Sequence, residues 1–276
     1  MRKKSKKIGM IAGYGQFPAL FSKAAGKKGY TVNAVAFKNQ ADSDIEKVVD
    51  GCKWLYLGEL SSIISFFKDN EINQVVFAGG INKDKLFDDL HPDTAALELL
   101  SSITGTGDDA IMRAFAGALE KKGITVIAPT SFLPELLTPS GCWTKREPTE
   151  IELADLNFGF NLAKKIGELD IGQCLVIAKG SVMAVEAIDG TDATILRGGK
   201  LGQGNAVVIK VKKPGQDDRF DLPAIGMETI LTMVKATATA LGVDAGESIV
   251  FDIDKMIALA DKHNIAILGM GTNGKA

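Results

Sequence analysis

Histidine and cysteine are scarce in this chain, and their scarcity excludes several kinds of site. Only two histidines occur among 276 residues, which argues against a histidine-rich dinuclear phosphoesterase centre. The three cysteines are far apart and odd in number, so neither a disulfide framework nor a CxxC metal site is expected. Because no serine or cysteine has a neighbouring histidine, acyl transfer through a covalent nucleophile has no support either.

Long apolar runs and an excess of positive charge are also missing. No run approaches the roughly 18 apolar residues of a membrane span, and we expect no signal peptide. A formal net charge of −2 argues against nucleic acid as a partner, because such a surface needs clustered cations. The basic run 1–7 (MRKKSKK) is interpreted as a disordered leader, with contact to an anionic membrane surface as the alternative.

The first half alternates short apolar strands with helical segments, which predicts a parallel sheet of Rossmann type. A strand at 8–12 is followed by the glycine turn 13–15 and a helix, a geometry that offers backbone N–H groups to a phosphate. Gly79 and Gly80 end a later strand, where ligand access and tight packing are both possible reasons for glycine. Pro18 stands where a dinucleotide fingerprint has its third glycine, so NAD is disfavoured and a nucleotide remains open.

The second half has a different pattern. Two apolar runs at 171–178 and 181–188 are joined by a Lys-Gly pair, which predicts an antiparallel hairpin. Further along, we expect a glycine-rich loop at 198–204 and a helix over 227–241. The predicted fold is therefore α/β, with a Rossmann-like parallel-sheet domain at 1–140, a mixed α/β catalytic domain at 141–276 and the active site in the cleft between them.

The most informative stretch for chemistry is the proline-flanked run KPGQDDRFDLP. If it is extended, Asp217, Arg219 and Asp221 share one face, which suits a divalent cation beside a phosphate. A solvated turn with internal salt bridges is the alternative. Glu186 and Asp192 add acids upstream, and carboxylates without histidine partners select Mg²⁺ or Mn²⁺. Together these residues favour metal-assisted attack of water on phosphorus.

Six runs also carry a resemblance to a known family. They are 8–15 (IGMIAGYG), 107–109 (GDD), 132–137 (FLPELL), 169–173 (LDIGQ), 184–192 (AVEAIDGTD) and 213–223 (KPGQDDRFDLP). Through them the sequence resembles the LpxI family of UDP-2,3-diacylglucosamine pyrophosphatases. The resemblance implies magnesium-dependent hydrolysis of UDP-2,3-diacylglucosamine to UMP and 2,3-diacylglucosamine 1-phosphate (lipid X) in lipid A biosynthesis, with water attacking the phosphorus on the sugar side.

The same resemblance implies roles for individual residues. Those expected to be catalytic are Asp221, Asp217 and Arg219, and those expected to bind the metal, Mg²⁺ with Mn²⁺ as the alternative, are Asp221, Asp192 and Glu186. Those expected at the substrate are Gly13, Tyr14, Gly15, Gly79, Gly80, Lys83, Asp108, Asp109, Gln173, Thr191 and Lys213. Asp218 is an additional acid beside Asp217, which leaves open which carboxylate reaches the ion.

The implied substrate also suggests partners. A diacylated sugar nucleotide requires transient contact with the inner membrane surface, so we expect a cytoplasmic protein peripheral to that membrane, with a homodimer left open. The apolar run 132–137 is a candidate wall for the acyl chains, and ordinary interdomain packing is the alternative. The competing functions are a non-enzymatic nucleotide-sensing protein and a sugar-nucleotide transferase or epimerase.

Overall fold

The structure, a computed structural model, describes residues 6–82, 90–103, 108–220 and 222–271, without the side chains of Asp108 and Asp109. Internal contacts divide the chain into two compact units. The first unit comprises Met1–Pro134 and Asp217–Asp221, and the second comprises Glu135–Gln216 and Leu222–Ala276. The short acidic segment therefore groups with the first unit, although the sequence-based division had assigned it to the second.

The first unit is a parallel sheet with helices. Its described elements are β1 (Lys6–Ala12), α1 (Phe17–Lys27), β2 (Tyr30–Phe37), β3 (Gly51–Leu55), α2 (Leu60–Asp69), β4 (Gln74–Ala78), α3 (Thr94–Ser101), α4 (Asp108–Lys121) and β5 (Thr125–Val126). The strand order is β3-β2-β1-β4-β5, and every pairing is parallel. Because the order reverses between β1 and β4, the loops that follow these two strands flank the edge where such sheets bind ligands.

The core of this unit explains why its strands read as continuous apolar runs. Met10 and Ile11 are neighbours in β1 and face opposite sides of the sheet, and both are buried, as expected for a parallel strand covered on both faces. Helix α2 places Ile63 and Phe67, which lie one turn apart, into the same core. The predicted parallel α/β architecture of the first half is confirmed.

The second unit is built around a mixed sheet. Its described elements are β6 (Gly141–Cys142), α5 (Glu150–Glu168), β7 (Cys174–Ala178), β8 (Ser181–Val185), α6 (Gly190–Gly202), β9 (Ala206–Lys210), β10 (Ala224–Ile225), α7 (Met227–Lys235), β11 (Ala238–Asp244), β12 (Ile249–Val250), α8 (Ile253–Lys262) and β13 (Ala266–Met270). Six strands are ordered β6-β13-β11-β9-β7-β8. Strands β9, β11 and β13 pair in parallel, whereas β7 pairs antiparallel with β8 and β9. No described helix is long and apolar enough to cross a bilayer.

Two local predictions for this unit were wrong. The helix expected over 227–241 ends at Lys235, and Ala238–Asp244 is the strand β11 between β9 and β13. The glycine-rich loop expected at 198–204 is largely the end of α6. A Cβ on Gly198 would lie 2.4 Å from the Cβ of Val176, so this glycine lets the helix pack closely on the sheet.

Local hydrogen bonds account for the helix and hairpin that were predicted correctly. Thr149 and Glu152 form a reciprocal capping box at the start of α5. The carboxylate of Asp155, on the same helix, accepts hydrogen bonds from the backbone N–H groups of Lys179 and Gly180 at 2.8 and 2.7 Å. The buried acid thus ties the turn between β7 and β8 to the helix that covers the sheet.

Candidate functional site

The glycine loops after β1 and β4 meet at the predicted ligand-binding edge of the first sheet. The N–H of Tyr14 donates to the carbonyl of Gly80 at 2.9 Å, and the N–H of Gly80 donates to the carbonyl of Tyr14 at 3.0 Å. A Cβ on Gly13 would lie 2.0 Å from the carbonyl oxygen of Gly80, and Gly79 has a φ of +96°. The structure thus brings four predicted substrate residues together, and close backbone packing requires their glycines.

The backbone N–H groups of these loops are used within the protein. Gly13 donates to Ala78 at 2.9 Å, and Gly15 donates to the carboxylate of Asp42 at 2.9 Å. The sequence had suggested that such groups would be offered to a phosphate. Because the N–H of Gly15 already donates to Asp42, this group is not offered to an anionic ligand at this edge.

Side chains at the same edge can supply such contacts. The ring of Tyr14 is 48% exposed and lies over Gly80, which leaves no room for a larger residue there. Lys38, at the end of β2, places its Nζ 4.3 Å from the ring centroid of Tyr56, which follows β3. This edge therefore combines exposed aromatic surface with a lysine.

The end of the hairpin in the second unit gathers three more predicted residues. Glu186 is 7% exposed, and its carboxylate accepts hydrogen bonds from the N–H of Gln173 at 3.0 Å and from the hydroxyl of Thr191 at 2.7 Å. These contacts give Glu186 a structural role that needs no metal. Within the described part of the chain, the side-chain oxygen of Gln173 is buried and accepts no hydrogen bond.

The neighbouring acids on α6 differ in their contacts. Asp192 is exposed in the first turn of the helix, and no hydrogen bond or ion pair to it is found among the described residues. Asp189 accepts from Arg197 at 2.9 Å, and this hydrogen bond is the main reason why its carboxyl pKa is lowered. Of the three acids near the hairpin, Asp192 is therefore the one whose carboxylate is left for a ligand.

Asp217 and Arg219, both predicted to be catalytic, are bound to each other. The Nε and NH2 groups of Arg219 donate to the two carboxylate oxygens of Asp217 at 2.9 and 2.7 Å. This hydrogen bonding holds the pKa of Asp217 below its usual value and raises that of Arg219. Residues 218–220 form a turn, closed by a hydrogen bond from the N–H of Phe220 to the carbonyl of Asp217. The extended conformation considered for this stretch is wrong, and the alternative of a turn with internal salt bridges is confirmed.

Helix α4 contributes two charged residues that the sequence did not single out. NH1 of Arg219 donates to Oε1 of Glu120 at 2.7 Å, and NH1 of Arg113 lies 3.4 Å from Oδ2 of Asp217. Arg113 and Glu120 are about two turns apart and thus lie on the same face of α4. The sequence shows the spacing of Arg113 and Glu120, but it does not show that they contact Asp217 and Arg219, about 100 residues further along the chain.

Lys213 lies in the second unit and forms an ion pair. Its Nζ is 2.7 Å from Oδ1 of Asp170, which is itself largely exposed. The side chain of Gln216 accepts a hydrogen bond from the backbone N–H of Lys213 at 3.0 Å, which shapes the turn at Pro214. A substrate phosphate would compete with Asp170 for this lysine.

Several predicted residues lie outside the described part of the chain. They are Asp221, Lys83 and the side chains of Asp108 and Asp109. Among the residues that are described, no three His, Cys, Asp or Glu side chains are placed so that they could hold a metal ion. Of the predicted metal ligands that the structure describes, Glu186 is engaged by protein donors and Asp192 is exposed.

The apolar run proposed as an acyl-chain wall is partly core. Phe132 and Leu133 are buried within the first unit, at 7% and 4% exposure. The ring of Phe132 packs edge-on against Phe21 and Tyr30 at centroid distances of 5.1 Å. A wall built on these two residues is wrong, because packing inside the unit already uses them.

Comparisons with known proteins match most of the chain to one family. The model of the LpxI N-terminal domain matches residues 7–136, and that of the LpxI C-terminal domain matches residues 139–268. A UDP-2,3-diacylglucosamine pyrophosphatase LpxI from Caulobacter vibrioides is 31% identical over 96% of this chain and 98% of its own length.

Solved structures give only distant likenesses. The biotin carboxylase subunit of pyruvate carboxylase is 16% identical, with a TM-score of 0.27 over 63% of this chain and 35% of that one. An ADP complex of N5-carboxyaminoimidazole ribonucleotide synthetase also has a TM-score of 0.27, at 16% identity over 73% of this chain and 45% of that one. These likenesses are too weak to support a functional argument. Both family models and the full-length relative agree, and the chain belongs to the LpxI family.

Proposed function

We propose that this chain hydrolyses the pyrophosphate bond of UDP-2,3-diacylglucosamine, releasing UMP and 2,3-diacylglucosamine 1-phosphate (lipid X) for lipid A biosynthesis. The observation that supports this function is the similarity to the Caulobacter vibrioides pyrophosphatase, which covers 96% of this chain. Because the similarity runs through both family domains, it supports a shared reaction and not merely a shared binding domain.

The reaction requires one water molecule and breaks one P–O bond. Water attacks the sugar-side phosphorus, the bond from that phosphorus to the bridging oxygen breaks, and UMP leaves with the bridging oxygen. The oxygen of water remains in the phosphate of lipid X, and its protons are lost to a base and to solvent. We assign the catalytic carboxylate to Asp221, which follows the turn that contains Asp217 and Arg219.

We assign the nucleotide to the ligand-binding edge of the first sheet. The order of its strands favours binding beside the loops after β1 and β4. The N–H groups of Gly13, Tyr14, Gly15 and Gly80 are bonded within the protein. Lys38 is therefore our candidate for contact with the diphosphate, and the exposed ring of Tyr14 is our candidate for contact with the nucleoside.

We further propose a dependence on Mg²⁺, with Mn²⁺ as a substitute. Asp221 is our first candidate for a carboxylate that binds the ion and the exposed Asp192 is our second, since hard oxygen ligands suit it. A bound divalent cation would neutralise charge on the phosphoryl oxygens.

Turnover with an isotopic label tests the function directly. The purified chain is incubated with UDP-2,3-diacylglucosamine and Mg²⁺ in H₂¹⁸O, and the products are analysed by mass spectrometry. We expect UMP without label and lipid X with one ¹⁸O, and no turnover in excess EDTA. Label in UMP would contradict the assigned phosphorus, and failure to form either product would contradict the function.

Substitution of Asp221 tests the assigned carboxylate. Asp221→Ala should lower kcat by roughly 10²–10⁴-fold, the usual contribution of a general acid or base. Asp44→Ala, which removes an exposed acid that pairs with Lys47, is the matched control. A nucleotide-sensing protein would bind UMP equally well with or without Asp221 and would not turn over substrate. A transferase would release UDP if it moves the sugar, or UMP if it moves the sugar phosphate, and in either case only when an acceptor is supplied.

Contact with the inner membrane and formation of a homodimer are proposals as well. The substrate's acyl chains partition into a bilayer, which supports weak binding to vesicles that contain anionic lipid. Strand β8 lies at one end of the described sheet, which supports pairing with a second copy. Vesicle sedimentation tests membrane contact, which is contradicted if the protein stays in the supernatant. Light scattering tests the homodimer, which is contradicted if the mass in solution is that of one chain, 29.3 kDa.

A further inference from the structure

The turn formed by Asp217, Arg219 and Phe220 is held by the first unit at two places. The ring of Phe220 packs edge-on against Phe77 at a centroid distance of 5.8 Å and joins the core of that unit. The guanidinium of Arg219, which also lies 5.6 Å from the ring of Phe220, reaches Glu120 on α4.

The charges on α4 complement those of the turn. Glu120 accepts from Arg219, and Arg113 lies against Asp217, so each member of the Asp217–Arg219 pair faces an opposite charge. The side chains of Arg219 and Glu120 are 30% and 40% exposed, so their contribution to overall stability is small. The contact matters because the carboxylate of Glu120 fixes the orientation of the planar guanidinium of Arg219.

We propose that Glu120 is a positioning residue for the hydrolytic reaction, with Arg113 as its counterpart on the same helix. Glu120 acts through Arg219: it holds the guanidinium in the orientation that also binds both oxygens of Asp217. Without Glu120, the turn immediately before Asp221 is held by fewer contacts, and small displacements of reacting groups are costly in rate. This inference rests on the proposed function, because it assumes that the turn belongs to the catalytic machinery.

Steady-state kinetics of a double-mutant cycle test the inference. Glu120→Ala should lower kcat on the order of 10-fold and leave KM within about 2-fold, as expected for lost positioning. Glu120→Gln keeps the oxygen that accepts from Arg219 and should recover most of kcat. In an Arg219→Ala background, Glu120→Ala should have no further effect, because its partner is already gone. Glu98→Ala, an exposed glutamate on α3, is the matched control.

Hydrogen exchange of the peptide that covers residues 216–220 gives a second readout, independent of turnover. We expect faster exchange in Glu120→Ala and unchanged exchange in Glu98→Ala. Normal kcat in Glu120→Ala, or an equal loss of kcat with and without Arg219, would overturn the inference. If the unmodified chain shows no turnover, the proposed function fails by itself. The exchange rate of residues 216–220 then tests separately whether Glu120 on α4 stabilises the turn. Equal exchange rates in Glu120→Ala and the unmodified chain would contradict this stabilisation.

Discussion

The buried contacts of Glu186 predict how this residue responds to substitution. Its carboxylate accepts one hydrogen bond from the N–H of Gln173 and one from the hydroxyl of Thr191. Glu186→Ala leaves both donors without this acceptor, at a cost of about 1–3 kcal/mol for each buried unsatisfied group. We therefore expect the second unit to lose about 2–6 kcal/mol of unfolding free energy.

Glu186→Gln distinguishes a structural role from metal binding. The amide oxygen of glutamine can accept from Gln173, and the hydroxyl of Thr191 can turn to accept from the amide nitrogen. We expect a loss of only about 1 kcal/mol, the net value of a typical hydrogen bond. The concentration of Mg²⁺ needed for half-maximal activity should stay unchanged.

The assay combines urea unfolding with magnesium titration. In a Trp54→Phe background, Trp143 is the remaining tryptophan and reports on the second unit, to which it belongs. Asp192→Asn, which changes an exposed acid in the same region, should alter the unfolding free energy by less than about 0.5 kcal/mol. If Glu186→Gln instead raises the magnesium requirement by about 10–100-fold with little loss of stability, Glu186 binds the ion and the reasoning is refuted.

Two further predictions concern stability. Gly13→Ala should destabilise the first unit by about 1–3 kcal/mol, because the new Cβ would lie 2.0 Å from a backbone oxygen. Gly26→Ala, which has open space around it, should not destabilise the unit. Hydrogen exchange of the backbone amides of β1 measures both effects. Burial raises the pKa of Glu152, but hydrogen bonds from Arg146, Thr239 and Thr149 outweigh it and lower the pKa from its usual 4.5 to about 2. This lowered pKa stabilises the folded state above pH 4.5, and the stabilisation is lost as the pH falls from 4.5 to about 2. Glu152→Gln should remove this pH dependence, worth about 1–3 kcal/mol after solvent screening, and an unchanged acid unfolding curve would contradict it.

The acidic segment shows that the charges of a segment can be read from the sequence while their pairing cannot. Its charges were evident from the sequence, and both a metal site and internal salt bridges were considered. The structure shows that Asp217 and Arg219 pair with each other within a turn. Arg113 and Glu120 also contact this pair, and these contacts join positions about 100 residues apart in the chain.

Local signals determined much of the architecture. Continuous apolar runs separated by amphipathic segments predicted the parallel sheet, since strands covered on both faces have no polar side. The capping box at Thr149 and the Lys-Gly hairpin turn were readable because adjacent residues supply all of their geometry. The sequence located the glycines after β1 and β4. It did not show why glycine is required there, which is the close contact between the two loop backbones.

Tertiary packing decided the rest. Ala238–Asp244 has a composition that also suits a helix, and only its place between β9 and β13 makes it a buried strand. Gly198 lies within α6 and not in a loop, and its lack of a Cβ lets α6 approach β7 closely. The sequence by itself determined the family, the parallel first sheet and the set of acids. Which of those acids face protein donors was decided by contacts between distant segments, because hydrogen bonds depend on positions in space that the order of residues does not specify.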